Sequence, residues 1–156
     1  MKSFILAISL GSLLVIGPSN ADVGREEALD QGVRQFASKV EAEWQQCLKN
    51  PNTRTTKDSD LCLLSMVEAA NESVTQKYQK KLVTAQHMAE HPDSFATYET
   101  VPVLLQESQE LWKQYVQTDC DRVYAERAAG TARSGYSLLC QYKHALQRLR
   151  ALDGWY

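Results

Sequence analysis

The stretch CLKNPNTRTTKDSDLC, Cys47 to Cys62, holds the end of one helix, a polar connection and the start of the next, with a cysteine at each edge. Asn50-Pro51-Asn52 stops a helical run, and the polar residues to Ser59 read as a loop. Asp60 is a good N-cap for the helix that follows. The pattern recurs further on: Cys120 lies late in a third helical run and Cys140 early in a fourth. Four cysteines allow three pairings. In antiparallel hairpins the paired ends are adjacent, so Cys47–Cys62 and Cys120–Cys140 need the least backbone distortion. Loops of this length let a disulfide contribute about 3 kcal/mol through the unfolded chain. Zinc is the competing use of four cysteines, but the short Cys-x-x-Cys spacing of zinc ribbons is missing. No metal or other cofactor is expected, and no thiol is left for chemistry.

Outward from these cysteines, apolar residues recur at steps of three and four, and strand signals are nearly absent. The first helix is expected from about Arg25 to Leu48, on Leu29, Val33, Phe36, Val40, Trp44 and Leu48. The second starts near Asp60, runs on Leu63, Val67, Ala70, Val74, Tyr78, Leu82, Ala85 and Ala89, and stops at Pro92. Asp93 to Thr100 is a connection. The third begins around Val101-Pro102, proline being tolerated in a first turn. Its inward face is expected to be wide: Leu104, Leu105, Ser108, Leu111, Trp112, Tyr115, Val116, Asp119 and Val123. Ala128 to Gly135 is small and flexible. The fourth runs from about Tyr136 to Leu152 on Leu139, Tyr142, Leu146 and Leu149. Each apolar stripe must find another to leave water, which predicts an all-α, antiparallel four-helix bundle-like domain with two disulfide-braced hairpins.

The N-terminus reads as a cleavable Sec-type signal peptide over residues 1–21. Lys2 is followed by an apolar run from Phe4 to Ile16, Pro18 breaks it, and Ser19-Asn20-Ala21 offers small residues for cleavage. A membrane anchor is the alternative, but the run is shorter than the roughly 20 apolar residues a span needs. Residues 22–156 then form a single helical domain, periplasmic or secreted, in an oxidising compartment where disulfides persist. The chain holds 17 basic and 19 acidic residues, a mildly acidic balance that argues against nucleic acid, whose binding needs a basic face.

Three stretches carry a family resemblance. The first is Cys62 followed by Ala70-Asn71-Glu72-Ser73-Val74-Thr75-Gln76-Lys77-Tyr78, where Ala70 and Tyr78 match the family pattern. The second is Gln109-x-x-Trp112-x-x-Tyr115, ending in Asp119-Cys120; Val116 and Gln117 stand where the family has arginine and aspartate. The third is Cys140 with Arg148 eight residues later and Leu152 twelve later. Together these stretches, from about Cys62 to Leu152, resemble the lysozyme-inhibitor LprI-like family of small exported bacterial proteins. Tyr78, Gln109, Trp112, Tyr115, Asp119 and Arg148 read as structural: Trp112 and Tyr115 as core aromatics, and Arg148 as a clamp across the bundle with Asp119 as a possible partner.

The resemblance implies a periplasmic binding protein that inhibits lysozyme-type muramidases by occluding the cleft. Those enzymes work with a pair of carboxylic residues, so an inhibiting loop needs donors. The candidate partner-binding loop is basic and braced by cysteines at both ends: Arg127, Gly130, Thr131, Arg133, Ser134 and Tyr136. The loop from Asn50 to Ser59, with Arg54 and Lys57, is the second candidate. An immunity or envelope-maintenance protein with a different partner is the competing function. No catalytic constellation is legible, and an enzyme is not expected. His87-Met88-Ala89-Glu90-His91 has the letters of an inverted zinc-protease motif but abuts Pro92, where the histidines face helix-end carbonyls. Asn71-Glu72-Ser73 matches a glycosylation sequon in mid-helix.

Overall fold

The computed structural model describes residues 20–92 and 98–153, with side chains from residue 31 onward. The expected signal segment lies outside them, apart from the helical backbone of residues 20 and 21. Four helices follow in order: α1 Asn20–Leu48, α2 Thr56–Glu90, α3 Val101–Glu126 and α4 Arg133–Asp153. Both disulfides of the sequential pairing are formed, with Cα–Cα distances of 5.7 Å for Cys47–Cys62 and 5.6 Å for Cys120–Cys140.

Three helices start earlier than the sequence suggests, α1 at Asn20 instead of about Arg25. α2 begins at Thr56 instead of Asp60, because Thr55 is the N-cap. The Thr55 backbone is extended, its hydroxyl oxygen accepts from the Asp58 N–H at 3.2 Å, and the Asp58 carboxylate accepts from the Thr55 N–H at 2.9 Å. Two end donors are thus satisfied reciprocally, the geometry of a capping box. Thr55→Ala is expected to cost about 1 kcal/mol, read as a lower urea midpoint with an unchanged slope. α4 begins at Arg133 instead of Tyr136, so the stretch expected as a connection contracts to residues 128–132. Between α2 and α3, residues 93–97 lie outside the described residues; Tyr98 to Thr100 is a turn in which Tyr98 O accepts from the Val101 N–H at 3.0 Å.

α2 and α4 form the centre and make the most extensive interhelical contact. α1 packs on α2 and α4 from one side, and α3 on the same pair from the other. Among the described residues α1 and α3 do not meet. The core holds Val33 and Val40 of α1, Leu63, Met66, Val67, Ala70 and Val74 of α2, and Tyr142, Ala145, Leu149 and Leu152 of α4. Ala70 and Ala145 have no exposed surface; side chains this small let two helix backbones come close. Among the described side chains the apolar stripes of α1, α2 and α4 are thus the buried faces, with Phe36, Trp44, Tyr78, Leu139 and Leu146 at their edges; Leu29 of the expected α1 stripe lies outside them.

α3 is the exception. Leu104, Leu111 and Tyr115, expected inward, are 58%, 64% and 58% exposed, and Ser108 is exposed too. Only Gln109 and Cys120 of α3 are fully buried, with Leu105 and Trp112 packed half-buried against the core. A helix that touches only two neighbours can bury only a narrow stripe, so the apolar face of α3 exceeds what the bundle covers.

Gly135 fixes how the two hairpins meet. A Cβ there would lie 3.1 Å from Asp60 Oδ1 and 3.4 Å from Leu63 Cδ1. The first turn of α4 therefore abuts the first turns of α2, and both disulfides stand at the same end of the bundle.

Candidate functional site

The disulfide end presents the residues of the candidate loop, in a tighter arrangement than a flexible segment. Arg127 is the C-cap of α3, and its N–H donates to Tyr124 O at 3.3 Å. The Gly130 N–H returns to Arg127 O at 3.0 Å. Gly130 and Thr131 form the turn, while Arg133, Ser134 and Tyr136 belong to the start of α4. Two aromatic–cation contacts cross the turn. The Arg127 guanidinium lies 4.3 Å from the Tyr136 ring centroid, and that of Arg133 lies 4.6 Å from the ring of Tyr124. Each arginine of one helix end is held by a tyrosine of the other, and Cys120–Cys140 ties the two helices beneath them. Tyr124 and Tyr136 remain substantially exposed. The product is an exposed, cationic, aromatic tip held by two ring contacts and a disulfide.

Below the tip, Asp119 is a hub. Its Oδ2 lies 2.9 Å from His144 Nε2, and its Oδ1 accepts from Arg122 Nε at 3.1 Å and Nη2 at 2.8 Å. Arg122 also bonds Glu126. The His144 hydrogen bond, then the bonds from Arg122, hold the Asp119 carboxyl below the usual carboxylate range. Folding therefore favours the ionised form. Its contribution is present at neutral pH and lost as pH falls through the lowered native value. Asp119→Asn is expected to lose less stability than the wild type between pH 7 and about pH 3, below the ordinary aspartate pKa, as read from urea midpoints.

Asp119 is not the partner of Arg148, contrary to the sequence expectation. Arg148 Nε donates to Gln109 Oε1 at 2.9 Å and Nη2 to Ser108 Oγ at 3.0 Å, with the guanidinium 5.8 Å from the Trp112 ring centroid. The reason is register: His144, one turn earlier on α4, is the residue that reaches Asp119. Gln109 is 4% exposed, so the bond from Arg148 satisfies an amide that would otherwise be buried unpaired. Tyr115 is an exposed ring with its edge against His144, 5.1 Å between centroids, and is not a core aromatic. His144 itself was not singled out from the sequence, although the spacing Cys140-x-x-x-His144 places it one helical turn from a disulfide.

The ligand atoms of Cys120, Cys140 and His144 lie within 4.8 Å of one another. Both sulfurs are spent in the disulfide and neither is a thiolate, the form a metal needs. His87 and His91 are helix-end residues: the His91 N–H donates to His87 O at 3.1 Å and the two rings stack at 4.4 Å. Asn71 lies in mid-helix on α2.

The family model for the lysozyme inhibitor LprI matches residues 47–152, more than half of the chain, including all four cysteines, the tip, Gln109, Trp112 and Arg148. The chain belongs to the LprI lysozyme inhibitor family. The match begins at Cys47, earlier than the motifs alone placed it, so the first disulfide-braced hairpin is part of the family's domain and most of α1 precedes it. Searches of curated proteins and of solved structures returned no match. As a family LprI proteins are inhibitors and not enzymes, which implies a lysozyme-type protein partner. Two disulfides and this membership point to an extracytoplasmic protein. No helix among the described residues is long and apolar enough to cross a membrane.

Proposed function

We propose that this chain, exported by a cleavable signal over residues 1–21, inhibits a lysozyme-type muramidase in the periplasm by placing the Cys120–Cys140 tip in the enzyme's cleft. The crossed Arg127–Tyr136 and Arg133–Tyr124 stacking is the observation that carries the reading. A muramidase cleft is a groove lined by carboxylic residues. An occluding element needs cations at its apex, aromatic area to exclude water, and little conformational freedom to lose. Arginine and tyrosine dominate such contact energies, and an element already ordered before contact avoids much of the cost of association.

The neighbouring loop from Asn50 to Ser59 is less suited to lead. Arg54 is turned onto its own loop, its Nε donating to Pro51 O at 2.9 Å, and Asp58, whose carboxylate accepts from the Arg54 backbone N–H at 3.1 Å, adds a negative charge to the loop. The loop stands at the same end of the bundle and can widen the contact.

Titration of the disulfide-bonded protein into muramidases of several structural classes tests the reading. The expected result is a one-to-one complex with at least one of them, weakening as salt rises, because screened charges contribute to it. Failure to bind any class would transfer the protein to the immunity or envelope-maintenance reading.

A further inference from the structure

At the opposite end of the bundle from the disulfides, α3 and α4 diverge around a pocket of about 370 Å³. Val101, Leu104 and Leu105 of α3 and Ala151 and Leu152 of α4 give it walls that are almost wholly apolar. Its volume falls at the small end of ligand pockets, which run to roughly 300–1,000 Å³. The pocket's polar side is formed by Arg148 with Ser108, and by Lys81 of α2.

Arg148 is the informative residue. A guanidinium carries five N–H donors, and here the two bonds it makes go to neutral acceptors, Gln109 Oε1 and Ser108 Oγ. Among the described residues no carboxylate pairs with it. Partial burial pushes its pKa down, the signature of a cation that has lost water without gaining an anion. A desolvated charge without a counter-ion is costly to a fold. Its place at the wall of an open apolar pocket gives the cost a use: an incoming anion meets a cation that is already partly dehydrated. The bonds that Arg148 donates to Gln109 and Ser108 and the face of Trp112 fix the guanidinium plane, and a fixed plane favours a forked acceptor such as a carboxylate.

We propose that this pocket binds a medium-chain fatty carboxylate, its head on Arg148 and its chain against Leu104, Leu105 and Ala151. Leu104, 58% exposed at the rim, supplies apolar surface for a chain longer than the cavity. The site is remote from the disulfide tip and is independent of the inhibitor reading.

Calorimetric titration of the intact, disulfide-bonded protein with decanoate, decanol and acetate tests it, all below any aggregation threshold. Decanoate is expected to bind saturably at one site. Decanol, which lacks the charge, and the Arg148→Gln variant with decanoate should each bind about ten- to a hundredfold more weakly, the worth of a hydrogen bond to a charged group. Acetate should show no saturable binding. Because Arg148→Gln also loosens the buried Gln109 amide, Ala151→Phe serves as a second variant. It fills the pocket from a partly exposed position, and should abolish decanoate binding while the helical circular dichroism and melting temperature are retained. Equal affinity for decanol and decanoate would overturn the anion site. Decanoate binding that survives Ala151→Phe, or that never saturates, would overturn the pocket.

Discussion

Reduction of both disulfides is expected to lower stability by about 6 kcal/mol, roughly 3 for each loop, with cysteines 15 and 20 residues apart. A domain of this size has only about 5–15 kcal/mol in all, so the reduced chain should be largely unfolded at moderate temperature. Urea titration followed by far-ultraviolet circular dichroism, with and without reductant, reads the change. The paired variants Cys47→Ser/Cys62→Ser and Cys120→Ser/Cys140→Ser should each show about half of it. A reduced protein that unfolds at the same urea concentration as the oxidised one would mean that the helix interfaces alone hold the bundle. The two pairs should also part in function. Loss of Cys120–Cys140 frees the base of the Arg127/Arg133 tip, whereas loss of Cys47–Cys62 leaves that base tied.

The second large effect is expected at Leu149. It is 2% exposed on α4, the helix that α1, α2 and α3 all touch. Leu149→Ala should cost about 2–5 kcal/mol, through the lost burial and the cavity left behind. Trp112→Ala should cost less than Leu149→Ala. A fully buried tryptophan truncated to alanine would cost about 3–5 kcal/mol, but Trp112 is only half-buried on the flanking helix. Thermal melts of the two variants side by side decide the order. A Trp112→Ala variant melting below Leu149→Ala would place the centre of the core at α3.

The contrast between these residues shows what the sequence made legible. On α2 the stripe from Leu63 to Ala85 is buried as its spacing predicts, because α2 touches all three other helices. On α3 the same spacing misleads. Leu104, Leu111 and Tyr115 satisfy the helical period but have no helix to cover them, and a period reports amphipathicity, not the number of neighbours. The start of α2 is ambiguous in the sequence because Asp60 and Thr55 both have N-cap side chains. Asp58, three residues after Thr55, decides between them by closing the box. The Arg148 partner was legible in principle. Once Cys120 is joined to Cys140 in an antiparallel hairpin, each step forward on α4 is a step back on α3. His144 then falls beside Tyr115 and Asp119, and Arg148 beside Trp112 and Gln109, as the structure has them. Opposite charge favours Asp119 for Arg148, but the register sets them more than a helical turn apart. The candidate tip residues stand out in the sequence by their basic character and by the cysteines on either side. Their crossed stacking depends on α4 starting at Arg133, which the Ala128–Gly135 stretch, read as a loop, concealed.

The cationic tip is the proposed inhibitory element. The direct measurement is the rate at which a muramidase clears a cell-wall suspension in the presence of the wild-type protein and of the double variant Arg127→Ala/Arg133→Ala. Each guanidinium is solvent-facing and stacked on one ring, so the double variant is expected to keep its melting temperature within a few degrees. The account predicts that the wild type slows clearing at micromolar concentration or below, and that the double variant loses at least about tenfold in potency, as for removal of anchoring arginines at an interface. Undiminished inhibition by a folded double variant would contradict it.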